Sequence, residues 1–484
     1  MNKKIWLLLI VSLILISSAY AQEDVSVWRT GEPLPQIENW YAGDIHYHTN
    51  YSRNLLELGG KIKETKEAAE KLGLDFITIT DHSFALKEEE WPQLVRLASE
   101  NSDDKFVFIP GEEVSTNGGA ERYRHFLAIG IENYIPGDEL EANGKTKTLS
   151  PKQLVEKVKS QGGAGYVAHP FYEDPFRQKW KEEDYNLPFT GLQIWNFETW
   201  EKDQSELEKG LQKWKELLAK ERKVFIGAGS DSHGDWQILG KARTYVYTNT
   251  VSQSGILEAL KNGNSFITDG PVITVWIGDT TFGQEALIAD TDKVKMKIQL
   301  ASNLEFGRVS EIEIWNAEEL EEVLRPNKYF EPELIWDDKF LAEDTYYRFV
   351  AHTENGYTAY TNPIWVKTFS KPRAEVVKKE EKVFEKITKF ISPIVTMPSI
   401  IVNIWFDPIH KKEPREILEQ YKTDEMRKID KITSDALKKL NQTSGPSISE
   451  QRYTKSGQVS SRETEKTEKD YIVERHGGKV YYPE

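Results

Sequence analysis

The chain has 484 residues, 38% hydrophobic and 29% charged, which allows a sizeable core and two or three domains and excludes a membrane-embedded or wholly disordered polymer. A formal net charge of -15 excludes DNA or RNA as a general partner, since neutralising phosphates needs a basic surface, but leaves room for a local basic pocket for a small anion. With no cysteine, disulfides, thiolate metal ligands, cysteine nucleophiles and a lipid anchor on cysteine are all excluded.

In chain order, Lys3 and Lys4 precede an apolar run from Ile5 to Ile16 and then Ala19-Tyr20-Ala21. That is the layout of a secretory signal peptide cut after Ala21, so the mature protein is expected outside the cytoplasm, periplasmic or extracellular. The run is too short to span a bilayer comfortably, and no stable membrane span is expected after cleavage; an uncleaved anchor is the alternative. From Trp40 to about Thr268, short β-type runs alternate with helical patterns: Phe76–Ile79, Phe106–Ile109, Phe126–Ile129, Gly165–Ala168, Leu192–Trp195 and Val224–Ile226. Ser150-Pro151-Lys152-Gln153 reads as a capping box, Leu207 to Leu218 recur at helical spacing, and Gly263 reads as a helix stop. Strands spaced by helices imply βα units, hence a parallel sheet or barrel.

Near Pro271 the pattern changes. Val294, Met296, Ile298 and Leu300 alternate with polar residues, as do residues 311–314, and Tyr346–Ala351 and Tyr357–Val366 are further strand candidates. The expected layout is a signal peptide at 1–21, an α/β domain at 22–270, a small antiparallel β domain at 271–368, a helical and apolar extension at 369–441, and a flexible tail at 442–484 with a candidate terminal hairpin. Pro393 and Pro398 argue against a spanning helix in the apolar stretch 391–406.

Six of the nine histidines lie between His46 and His233, each at or beside a β run. His46 and His48 stand two apart, so on a strand both point to one face and can ligate one metal. Thr80-Asp81-His82 and Gly111-Glu112-Glu113 each follow a strand; His125 opens one, and so fits less neatly; His169-Pro170 ends one; Asp231 and His233 repeat the two-apart spacing. Ligand-type residues at the C-terminal ends of successive parallel strands are where an α/β barrel places its active site. Nitrogen and oxygen ligands without sulfur suit Zn, Mn or Fe. Asp44 and Asp81 are candidates for orienting ligand rings, with strand-end solvation as the other reading; Asn196 and Arg243 are candidate contacts for a substrate anion. Trp195, Trp200 and Trp236 flank the motifs and either line a pocket or pack in the core, whereas His352, His410 and His476 need no chemistry.

The ordered set His46/His48, Thr80-Asp81-His82, Glu113, His125, His169-Pro170, Asp231/His233 resembles the PHP (polymerase and histidinol phosphatase) family over roughly Trp40 to Thr268. The continuation through Arg243-Thr244-Tyr245-Val246 to Thr361-Asn362-Pro363-Ile364 is similar to an exported branch that includes carbamate-ester hydrolases. The resemblance implies a distorted seven-stranded βα barrel with two or three divalent ions. His46, His48, Glu113 and Asp231 would bind the first, and Glu113 would bridge to a second held by His125 and His169. His82 and His233 would serve a third site, but Ser52-Arg53-Asn54 lacks the His or Asp that usually completes it; Glu57 or water would have to fill the gap. Without a third ion, His82 and His233 would bind substrate or shuttle protons.

The leading expectation is therefore an exported metal-dependent phosphoesterase acting through a hydroxide that bridges two ions, on a small anionic substrate. Hydrolysis of carboxylic or carbamate esters at the same metals is the second reading, and a non-enzymatic scaffold with a degenerate barrel the third. Gly227-Ala228-Gly229-Ser230-Asp231 does not form a serine-hydrolase elbow.

Overall fold

A computed structural model describes residues 33–52, 59–116, 124–137, 139–140, 146–147, 149–172, 180–200, 205–341 and 343–370. The signal peptide, Arg53, Asn54, Glu57, His410, His476 and the expected segments beyond 370 lie outside the described residues.

The first half of the fold alternates strands and helices: β1 (Trp40–Tyr47), α1 (Ile62–Leu72), β2 (Phe76–His82), α2 (Trp91–Glu100), β3 (Val107–Thr116), β4 (Arg124–Ile129), a two-residue pair β5 (Glu139–Leu140) and β6 (Thr146–Lys147), α3 (Pro151–Ser160), β7 (Ala164–Ala168), β8 (Gly191–Asn196), α4 (Phe197–Trp200), α5 (Ser205–Ala219) and β9 (Phe225–Gly229). Each of the longer helices has a local reason. In α1 the buried positions Ile62, Thr65, Ala68, Ala69 and Leu72 recur at helical spacing, and Gly73 ends it at φ 79, a conformation that favours glycine. Ser150 caps α3 by accepting from the Gln153 amide, as its capping box predicts. α5 buries Leu207, Trp214, Leu217 and Leu218, and the Trp214 indole donates to the Val224 carbonyl at 2.8 Å.

The second half is mostly strands: β10 (Arg243–Tyr247), α6 (Gln253–Asn262), β11 (Ser265–Thr268), β12 (Val272–Ile277), β13 (Glu285–Ala289), β14 (Lys293–Ala301), β15 (Val309–Asn316), β16 (Glu319–Leu324), β17 (Phe330–Phe340), β18 (Thr345–Thr353), β19 (Thr358–Thr361) and β20 (Ile364–Phe369). α6 stops at Gly263, φ 67, as expected. Val294, Met296, Ile298 and Leu300 of β14 are all buried, in line with their alternation. The group is not wholly antiparallel: β13 and β20 pair in parallel, Glu285 opposite Trp365.

The chain is mixed α/β with few helices and one large curled sheet of fifteen strands among the described residues, in the path β13-β20-β18-β19-β11-β10-β1-β2-β3-β4-β7-β8-β9, with β15 and β16 joining beside β18. A separate three-stranded sheet runs β12-β14-β17. This differs from the expected seven-stranded βα barrel. The first half of β1 is paired with β10 (Trp40 opposite Tyr247), so only its far end reaches across the curl, where Tyr47 bridges Ser232. No helix among the described residues is long and apolar enough to cross a membrane.

Candidate metal centre

Strands β1–β2–β3 run parallel, as do β7–β8–β9, so their C-terminal ends share one edge of the sheet. That edge carries His46 from β1 with His48 just past it, His82 from β2, Asn196 from β8, and His169, Asp231 and His233 just past β7 and β9. In register, His82 lies opposite Glu113. β4 runs antiparallel to β3, Ser115 opposite His125, so the start of β4 meets the same edge. This accounts for the one histidine that opened its strand rather than closing it. His169 (φ 26) and Asp231 (φ 58) have positive φ, a conformation costly for residues other than glycine and one that clusters at functional sites.

Hydrogen bonding sets the histidine tautomers. His46 Nδ1 lies 3.0 Å from Gln193 Oε1, an atom that also accepts the His169 amide at 3.3 Å. The shared atom is an acceptor, so His46 carries its proton on Nδ1 and presents a bare Nε2. Ser52 Oγ donates to Asp81 Oδ1 at 2.7 Å and therefore accepts from His48 Nδ1 at 2.9 Å, leaving His48 Nε2 bare as well. These two bare nitrogens are 3.1 Å apart, and Asp231 Oδ1 lies 3.1 Å from one and 3.0 Å from the other. Glu113 Oε1 approaches His46 Nε2 at 3.4 Å. With both rings neutral, four electron-rich atoms thus converge in a buried space, an arrangement that a positive charge resolves, whether a proton on His46 or a metal ion.

Glu113 continues into a second group. Its Oε1 lies 2.6 Å from His125 Nδ1 and 3.0 Å from His169 Nε2, and its Oε2 lies 2.7 Å from His82 Nδ1. Glu112 does not reach the histidines; both its oxygens accept the Ile135 amide, and burial holds its carboxyl well above the usual range. A third group joins His48, His82 and His233, with His233 Nε2 at 3.3 Å from His82 Nε2 and His233 Nδ1 held by the Asp231 carbonyl at 3.0 Å. A fourth joins Glu198, Asp231 and His233. All eight expected ligands enter these groups, and such donor sets of imidazole and carboxylate would hold metal ions.

The charges agree with that chemistry. Burial pushes the Glu113 and Asp231 carboxyls up, but His125, His46 and His82 around the first, and His46 and His48 beside the second, hold both well below the usual carboxylate range. Burial also pushes His46 down, yet Asp231 and Glu113 outweigh it and lift the ring to about 9, so a proton answers the two carboxylates where no cation does. His48 is held well below its usual range by burial and by the neighbouring His233 and His82 rings.

The expected supporting residues divide. Asp81 acts on His48 through Ser52 and ties down the turn by accepting from the Thr49 and Ser52 amides. Asp44 touches no ring: it accepts backbone amides of His46, Ser230 and Gly240, and burial raises its carboxyl to about 6. Asn196 does reach the cluster, donating to Asp231 Oδ2 at 2.7 Å. Arg243 is placed among other partners. Its guanidinium donates to the Gly240 and Gly270 carbonyls and lies over the Phe306 ring, none of them a cluster residue, because the side chain is almost wholly buried beside the β10–β11 hairpin. Trp195 is buried with its ring edge-on to Tyr360, as in core packing. Gln193 and Glu198 were not anticipated, since neither belongs to a sequence motif, and Ser52, noted only for lacking a ligand, supports His48 instead. At the mouth, Phe84 is 43% exposed and lies flat on His82, centroids 4.8 Å apart, while Tyr172 meets His169 edge-on.

No family model matches the chain. An uncharacterized protein of Methanocaldococcus jannaschii is 26% identical over 160 residues, which cover 32% of this chain and 80% of the relative. Among solved structures, a protein of Bifidobacterium adolescentis with a provisional assignment as a metal-dependent phosphoesterase is similar at TM-score 0.30 and 18% identity, over 40% of this chain and 88% of the other.

Proposed function

We propose that this chain is a metal-dependent phosphoesterase. The single observation that supports the reading is the convergence of His46 Nε2, His48 Nε2, Asp231 Oδ1 and the Glu113 carboxylate within 3.0–3.6 Å contacts, with both rings oriented by acceptors behind them. His46, His48, Glu113 and Asp231 would hold one ion of Zn, Mn or Fe, and Glu113, His125 and His169 a second. Such a pair lowers the pKa of a water towards neutrality and polarises a phosphoryl oxygen. The protein's own groups orient and exclude. Gln193 and Ser52 keep the ring lone pairs aimed inward, Asn196 steadies Asp231, and the burial of these ligands keeps bulk water out. His233, anchored through Nδ1, sets Nε2 3.3 Å from His82 Nε2, and with a proton on this pair the two rings would hold a substrate oxygen or pass that proton to the leaving group. The proposed place of action is outside the cytoplasm.

Elemental analysis of the purified protein, with hydrolysis of an aryl phosphate and an aryl ester before and after chelation, tests this. Two or more equivalents of metal and phosphate release abolished by chelation are expected; a protein that takes up no metal on reconstitution refutes it. Cell fractionation tests the location. A second reading, cleavage of aryl carboxylic or carbamate esters at the same ions, is favoured by the exposed Phe84 ring beside His82, and ester turnover without phosphate release would select it.

A further inference from the structure

A cavity of about 230 Å3 opens at the opposite end of β7, β8 and β9 from the histidine cluster. Gly163, Thr190 and Phe225 bound it at the starts of these strands, whereas His169, Asn196 and Asp231 stand at their far ends, so the cavity is separate from the metal centre. Its floor is aromatic, formed by Phe126, Phe189 and Phe225, all buried. Lys159, Lys223 and Lys261 also line it, and no carboxylate does.

The lysines have other work to account for. Lys261 pairs with Glu258 at 3.2 Å in the last turn of α6, and Lys223 pairs with Glu285 at 3.3 Å while lying over the Trp365 ring. Lys159 has no ion pair among the described residues. Because the three converge from α3, the segment entering β9 and α6, helix-end charge placement explains Lys159 and Lys261 singly but not their meeting with Lys223 over one apolar floor. Thr190 Oγ accepts the Gly165 amide, so its own proton is free to point into the cavity. An aromatic cavity with three lysines in its lining suits a molecule that is apolar at one end and anionic at the other. The volume, below the ~300 Å3 of common ligand pockets, limits the apolar end to a single ring or a short acyl chain.

We propose that this cavity binds a small amphipathic anion, a carboxylate or phosphoryl head on a single-ring or short acyl body. The full chain is titrated calorimetrically with 4-phenylbutyrate, phenylphosphonate and the neutral 4-phenyl-1-butanol. Titrations are repeated on the triple variant Lys159→Gln, Lys223→Gln, Lys261→Gln and on protein stripped with EDTA. Lys159 and Lys223 are exposed and Lys261 is half-buried, and unchanged thermal melting confirms the fold. The expected result is that at least one anion binds, the tighter naming the head group. The alcohol should bind at least about tenfold more weakly, the triple variant should raise the Kd about tenfold or more, and chelation should leave it unchanged. Absence of binding by both anions overturns the proposal. So does equal binding of the alcohol, an unchanged Kd in the triple variant, or binding lost on chelation, which would place the ligand at the histidines.

Discussion

Gln193→Leu tests whether ring orientation, rather than the mere presence of histidines, makes the metal centre. The substitution keeps the volume of the buried side chain and removes the one oxygen shared by His46 Nδ1 at 3.0 Å and the His169 amide at 3.3 Å. Two buried donors lose their acceptor, at about 1–3 kcal/mol each, and nothing then keeps the His46 proton off Nε2. Loss of such an outer partner lowers metal affinity about 10–100-fold, or about 1.4–2.8 kcal/mol. Gln193→Glu is the control. It retains an acceptor at that position, and the Gln193 Nε2 it gives up has no hydrogen-bond partner among the described residues. Zinc affinity measured by competition with a chromophoric chelator should therefore fall in Gln193→Leu and recover in Gln193→Glu, and the metal-free leucine variant should melt below wild type. A leucine variant with wild-type zinc affinity, or a glutamate variant as weak as the leucine one, refutes the tautomer argument.

Arg243→Met should lower the unfolding free energy by about 3 kcal/mol, through loss of charged hydrogen bonds to the Gly240 and Gly270 carbonyls, and leave KM for an anionic substrate unchanged. A tenfold rise in KM at unchanged stability would instead put this arginine at the substrate. Ser52→Ala strips an acceptor from His48 Nδ1 and from the His82 amide, so denaturant titration of metal-free protein should show a loss of about 2 kcal/mol; an unchanged midpoint contradicts the hydrogen-bond assignment. Phe84→Ala should raise KM for an aryl phosphate about 2–10-fold, the value of one ring contact, and barely change that for glycerol phosphate. Equal changes for both substrates would remove Phe84 from recognition.

What was legible in the sequence was local. The strand period of two places His46 and His48 together, and the capping box at Ser150 and the alternation over residues 293–300 each form the element they predict. What was not legible depends on partners far along the chain. The direction of β4, which decides where His125 goes, follows from its pairing with β3 and β7 and leaves no trace in residues 124–129. Gln193 stands 147 residues from His46 and has no motif, so only the fold introduces them. The extension of the sheet through β10 and β11 rests on which edge of β1 is covered, and periodicity does not specify neighbours. The partners of Arg243 were equally hidden: its guanidinium donates to two carbonyls whose positions only the β10–β11 hairpin reveals.

The pairing of His48 with Asp231 spans 183 residues of chain, and that of His46 with Glu113 links two strands separated by β2. Closing so long a loop is among the slow steps of assembling a domain, since its entropy must be lost before the contact returns anything. A partly synthesised chain ending before residue 231 has the histidines of the first strand but no complete pocket. Metal uptake by the first group would thus report that the whole of the sheet from β1 to β9 has been assembled, and any ion held there would be acquired wherever that last closure takes place.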